Sequence, residues 1–129
     1  MATIHTFEDI EAWKRARRLA DELFNVSQRD VMHYDFALRD QLNRSTGSVM
    51  DNIAEGFERG GNRELVQFLY VSKGSAGETR SQLYRMLDRG YISSDEHYYF
   101  KEEVTSISQL LMNFAQYLKR SPLQGPKYH

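Results

Sequence analysis

Both prolines of this chain, Pro122 and Pro126, lie after Ser121, so roughly 120 residues run without the side chain that most reliably breaks a helix. Through that stretch the apolar residues recur every three or four positions, the period of a helix with one buried face. Four segments carry the pattern. The first, about 7–27, aligns Phe7, Ile10, Trp13, Ala16, Ala20, Leu23 and Phe24. The second, about 34–58, aligns Leu38, Leu42, Ser45, Val49, Ile53 and Phe57. The third, about 62–89, aligns Leu65, Phe68, Leu69, Ser72, Ala76, Thr79, Leu83 and Leu87. The fourth, about 94–120, aligns Phe100, Val104, Ile107, Leu111, Phe114 and Leu118. Thr6 with Asp9, and Ser93 with Glu96, have the spacing of capping pairs that begin helices.

Four such helices joined by short polar turns predict an all-α, antiparallel up-down-up-down four-helix bundle. At 1.5 Å per residue each rod is about 33–42 Å long. Gly60-Gly61 supplies a stop after the second helix, and Gly90 a C-terminal cap after the third. The chain is expected to form one bundle domain, 1–121, followed by a flexible C-terminal tail, 122–129, whose prolines forbid a longer fourth helix.

Composition narrows the chemistry. The 129 residues contain no cysteine, which removes disulfides, thiolate metal sites and a cysteine nucleophile. No apolar run approaches the roughly 18 residues of a membrane span, and the start lacks the pattern of a signal peptide. The expected location is therefore cytoplasmic. A carboxylate-bridged di-iron bundle needs Glu-x-x-His motifs, and there are none. The four histidines, His5, His33, His97 and His129, fall near termini or turns and read as exposed imidazoles. No phosphate-cradling glycine loop follows a strand, and no serine shares a motif with His and Asp partners. The expectation is a protein that is not an enzyme, with no metal and no cofactor.

Two features invite a binding role instead. Small residues gather mid-helix, at Ser45-Thr46-Gly47-Ser48 and at Ser72, Gly74, Ser75, Ala76 and Gly77. Each interior glycine costs about 0.5–1 kcal/mol relative to alanine, so something must approach the backbone closely. That something is either the facing helix of the same subunit or a neighbouring subunit or ligand. The polar residues Arg39, Arg44, Asn52, Glu55, Glu78 and Arg80 lie on the same two helices, as solvated charge or as an interface network. Net charge is −1, but Lys14, Arg15, Arg17 and Arg18, and then Arg80, Arg85 and Arg89, form local basic runs. Eight tyrosines exceed what a narrow core accepts, so some cover an interface or stack on bases.

The segment Asn52-Ile53-Ala54-Glu55-Gly56-Phe57-x-Arg59-Gly60 resembles the signature of the four-helix bundle proteins called intervening-sequence proteins, some of which are encoded within bacterial large-subunit ribosomal RNA genes. Phe7-Glu8-Asp9-Ile10-Glu11-Ala12-Trp13-Lys14-x-Ala16 is similar to that family's first helix, and Phe68–Glu78 to its third. Gly90-Tyr91-Ile92 resembles its third turn. The resemblance implies a homo-oligomer, most simply a pentamer, without established enzyme activity. It also extends to the accessory variability protein of diversity-generating retroelements, understood to bind RNA or DNA and a reverse transcriptase through a basic surface.

The leading expectation is thus a homo-oligomeric scaffold or adaptor, in which Asn52, Glu55, Gly56 and Glu78 organise helix ends and subunit contacts. The alternative is an RNA- or DNA-binding accessory protein, contacting phosphates through Arg15, Arg18, Arg80, Arg85 and Arg89. The slightly acidic total separates the chain from its strongly basic retroelement relative, since phosphate affinity rests on cations.

Overall fold

The computed structural model describes residues 3–121. After a 3-10 turn at Phe7–Asp9 come four helices: α1, Glu11–Ser27; α2, Phe36–Glu58; α3, Asn62–Asp88; and α4, Ser94–Arg120. A second 3-10 turn, Asp30–Met32, lies between α1 and α2. Side-chain pairs set the directions. Arg15 meets Glu103 and Glu22 meets Tyr99 across α1 and α4, while Ser45 meets Gln82 and Val49 meets Ser72 across α2 and α3. Residue numbers rise on one helix as they fall on its neighbour, which makes the bundle antiparallel. The expected fold is the one found; the tail expected at 122–129 lies outside the described residues.

The turns form where the sequence places them. Ser93 Oγ accepts the Glu96 N–H while the Glu96 carboxylate accepts the Ser93 N–H, closing the capping box at the start of α4. Gly90 has φ +75°, with its N–H on the Leu87 carbonyl and the Tyr91 N–H on the Met86 carbonyl. That pair of bonds is a Schellman motif, and its left-handed residue favours glycine.

The first helix departs from expectation. Asp9 Oδ2 accepts the N–H groups of His5 (2.9 Å) and Thr6 (3.1 Å), closing a local turn, and Ile10 then adopts an extended conformation. The helix therefore restarts at Glu11, and its buried apolar residues are Ala12, Ala16, Leu19, Leu23 and Val26. Phe24, expected on the buried stripe, is 48 % exposed. Likewise α2 begins at Phe36, because Asp35 caps it and Met32 plugs the core from the preceding turn.

Every helix contributes fully buried leucine or isoleucine, among them Leu23, Leu42, Leu69, Leu83, Ile107 and Leu111. Each such side chain adds about 1.5–3 kcal/mol relative to exposure. The exposed-histidine expectation fails for His97. It packs edge-to-face on Tyr84, 4.5 Å between ring centres, and is buried because the first turns of α4 lie against α3. Among the described residues, no helix is long and apolar enough to cross a membrane.

Candidate functional site

The seam between α2 and α3 is the most polar part of the interior. The two helices place small hydroxyl residues opposite one another. Ser45 Oγ donates to Gln82 Oε1 (2.7 Å), which leaves its lone pairs for the Thr79 hydroxyl at 2.8 Å. Ser48 and Ser75 share a hydrogen bond of 2.8 Å, and Ser72 Oγ donates to the Val49 carbonyl at 2.6 Å. Hydroxyls here satisfy one another at short range, so the helices approach closely without stranding a polar group.

The four residues expected to organise assembly separate on the structure. Asn52 is at the seam's edge, its Nδ2 donating to the carbonyl and hydroxyl of Ser48, both at 2.8 Å. Through Ser48 it is tied to Ser75 of α3. Gly56 is buried at the closest approach: a Cβ there would stand 2.6 Å from Phe68 Cβ. Glu55 instead pairs with Arg59 one turn on, at 2.7 Å with both side chains more than half exposed. Such a pair contributes only about 0.3–0.5 kcal/mol. Glu78 is exposed on α3, with no ion pair or hydrogen bond among the described residues.

The mid-helix glycines divide in the same way. The glycine that the α2–α3 crossing requires is Gly56. At Gly47, Gly74 and Gly77 a Cβ would meet nothing within 4 Å, so no contact inside the subunit demands their small size. Gly74, Gly77 and Glu78 lie on one outward stripe of α3 with Val71, which is 52 % exposed.

The five arginines expected at phosphates do not form one patch. On α1, Arg15 makes two bonds of 3.0 Å to the Glu103 carboxylate, which also lies 3.6 Å from Arg18. The Arg15 guanidinium holds the Glu103 carboxyl below its ordinary range. On α3, Arg89 pairs with Asp35 at 2.7 Å and Arg85 donates to Gln41 at 2.8 Å. Arg80 alone is exposed with no such partner among the described residues. Glu103 went unremarked in the sequence, although its place beside Val104 on the buried stripe marks it as half-buried and in need of a cation.

A second cluster, also unremarked, joins the two connectors at one end of the bundle. Asp35 caps α2 through the Leu38 N–H and binds both Arg89 and the Tyr91 hydroxyl. Burial opposes its ionisation, but the bonds from Tyr91, Arg89 and Leu38 together hold its carboxyl below the usual value. Beside it Arg29 makes a two-pronged bond to Glu96. That bond, with the Ser93 N–H, lowers the Glu96 carboxyl to about 2.

Depressed carboxyls stabilise the fold above their unfolded values and cease to as pH falls through their folded ones. The stabilisation these carboxylates contribute should therefore be full at neutral pH and be lost between about 4.5 and 2, the window set by Glu96. Thermal unfolding followed across that range checks this. Glu96→Gln should lower Tm at pH 7 and show a shallower decline; parallel curves for the two proteins would contradict the assignment. Among the described residues no group of three or more His, Asp or Glu side chains is placed to hold a metal.

Residues 8–113 match the sequence model of the family described as 23S rRNA-intervening sequence protein. A solved structure from Bacteroides thetaiotaomicron, a protein with unknown function from the S23 ribosomal protein family, superposes with a TM-score of 0.73. It is 19 % identical, and the match covers 81 % of this chain and 98 % of that one, which shows a shared fold. No curated protein matches the chain in sequence.

Proposed function

The chain belongs to the 23S rRNA-intervening sequence protein family, and from that premise we propose that it is a non-enzymatic cytoplasmic scaffold or adaptor, assembled from copies of itself. Five copies in a ring is the arrangement the family resemblance implies. One observation carries this reading: the outward stripe of Val71, Gly74, Gly77 and Glu78 on α3. A solvent-facing glycine inside a helix costs about 0.5–1 kcal/mol and gains nothing within the subunit. The missing side chains become useful when a neighbouring helix packs against that stripe, with Val71 as its apolar contact and Glu78 as its polar one.

Light scattering tests the proposal. The wild-type protein should have a mass near five times the 15.1 kDa chain. Gly74→Arg and Gly77→Arg should yield smaller species of unchanged helicity, because arginine is the better helix former and a Cβ meets no obstacle within the subunit. Glu78→Ala should weaken assembly in the same direction. A monomeric wild type would sink the assembly itself, whereas an unchanged mass in both arginine variants would remove the α3 stripe from it.

The nucleic-acid alternative draws less support. Arg15, Arg18 and Arg89 already face carboxylates, which leaves Arg80 and Arg85 as the free positive charges of the set. Few phosphate contacts predict weak binding with a shallow salt dependence.

A further inference from the structure

The exposed large apolar side chains are unevenly distributed. Phe24, Val31, Tyr34, Phe36, Tyr98 and Tyr99, each 48–85 % exposed, all belong to the end of the bundle where α1 meets α2 and α3 meets α4. Tyr34, on the α1–α2 connector, is 85 % exposed, and Phe36, the first residue of α2, is 65 % exposed. Leaving such a ring in water forgoes the stabilisation that burial gives an aromatic side chain.

Their display is enforced by the anchoring of the residues around them. Asp35, between Tyr34 and Phe36, is held by the Leu38 N–H, Arg89 and the Tyr91 hydroxyl. Three residues earlier Met32 is fully buried, and Arg29 is fastened to Glu96 and the Tyr91 carbonyl. With its neighbours fixed, the connector cannot fold these rings inward. Aromatic rings on a rigid frame lose little entropy when a partner covers them, which is the character of an interface anchor.

The charge around the rings selects the partner. Residues 21–44 and 80–103, the half of the bundle at this end, carry ten carboxylates against seven lysines and arginines. Arg29, Arg44 and Arg89 are paired with carboxylates. Of the groups in no ion pair among the described residues, Asp21, Glu22, Asp30, Asp88, Asp95 and Glu102 outnumber Arg39, Arg80, Arg85 and Lys101, so the surplus here is acidic. A phosphate backbone would be repelled here and a cationic chain attracted. We propose that this end of the bundle is a docking surface for a basic, apolar segment of a partner protein, with Tyr34 and Phe36 as anchors and Asp30 and Asp95 supplying charge. The site stands apart from the α3 stripe, so it does not depend on the mode of self-assembly.

Fluorescence anisotropy with a labelled 18-residue amphipathic helix of leucine and lysine tests it, beside a leucine–glutamate helix of the same pattern. The lysine peptide should bind and the glutamate peptide should not. Tyr34→Ser with Phe36→Ser should weaken binding at least tenfold. Asp30→Asn with Asp95→Asn should weaken it several-fold and flatten its salt dependence. Tyr117→Ser, at the opposite end, should leave it unchanged. All four mutated aromatic and acidic positions at the tip are exposed, so circular dichroism should report unaltered helicity. The proposal is overturned if the Tyr34/Phe36 variant binds the lysine peptide as wild type does, or if the glutamate peptide binds equally. It is also overturned if the same variant loses oligomer mass, which would assign the surface to a second copy, or loses binding to a single-stranded oligouridylate, which would assign it to base stacking.

Discussion

Replacing Gly56 by alanine should destabilise the protein by about 1–3 kcal/mol, the usual cost of forcing extra volume into a packed interior. Two effects compete at this position. Alanine is the better helix former by about 0.5–1 kcal/mol. The new Cβ, however, would stand 2.6 Å from Phe68 Cβ and 3.1 Å from Leu65 Cδ1. Phe68 Cβ is bonded to the α3 backbone and cannot swing aside, so relief requires α2 and α3 to separate. Separation would stretch the Ser48–Ser75 and Ser72–Val49 hydrogen bonds that close the same seam. The steric cost should win. Gly47→Ala supplies the matched control, since its Cβ meets nothing within 4 Å and only the helix gain remains. Urea unfolding of both variants decides the matter: Gly56→Ala should lose stability while Gly47→Ala gains about 0.5–1 kcal/mol. Equal stability in the two would mean that the helices do not meet closely at Gly56.

The contrast between these glycines shows what a sequence can and cannot carry. The small residues at Ser45–Ser48 and Ser72–Gly77 invited the idea of a tight α2–α3 crossing. Ser45, Ser48, Ser72 and Ser75 do line it, but the glycine it requires is Gly56 within the turn signature, not Gly47, Gly74 or Gly77. Helical period tells which residues share a face but leaves open which partner that face meets. The long stripes of α2, α3 and α4 were legible because each buries one residue per turn for six or more turns. On α1 the expected stripe is buried at Ile10, Ala16 and Leu23 but not at Phe24, and the Thr6–Asp9 pair caps a short turn that ends at Ile10 and does not start the long helix.

Ion-pair partners were less legible still. Arg15 and Glu103 are separated by 88 positions, and Arg29 and Glu96 by 67. A basic run read along the sequence suggests a phosphate surface until the fold lays an acidic residue of α4 across it. Burial of His97 was hidden for a related reason. Position near a turn suggested exposure, but the ring lies on the face that α4 presents to Tyr84. In each case the missing information is the rotation of one helix about its axis relative to the next. Helical period and short turns set the bundle's connectivity, which explains why the fold could be read and the surface could not.

Asp35→Ala should cost about 2–3 kcal/mol, because one carboxylate serves three partners at once. As N-cap of α2 it accepts the Leu38 N–H, a role whose loss costs about 1 kcal/mol. Its Oδ2 also accepts from Arg89 at 2.7 Å and from the Tyr91 hydroxyl at 2.8 Å. Removing it leaves the half-buried phenol without its acceptor and leaves Arg29 to tie the α1–α2 connector to the α3–α4 turn. Asp35→Asn keeps an oxygen for the cap but loses the charge that holds Arg89, so its loss should be about half as large. The difference between wild type and Asp35→Asn should itself depend on pH. Since the folded carboxyl is held below its ordinary value, that difference is full above the unfolded value and shrinks as pH falls through the folded one. Hydrogen exchange should accelerate at the Leu38 and Tyr91 amides in Asp35→Ala before it does in the core. If urea unfolding placed Asp35→Ala within about 0.5 kcal/mol of wild type, the three bonds would not act together. The rigid presentation of Tyr34 and Phe36 would then lose its physical basis, because the same carboxylate fixes the backbone between them.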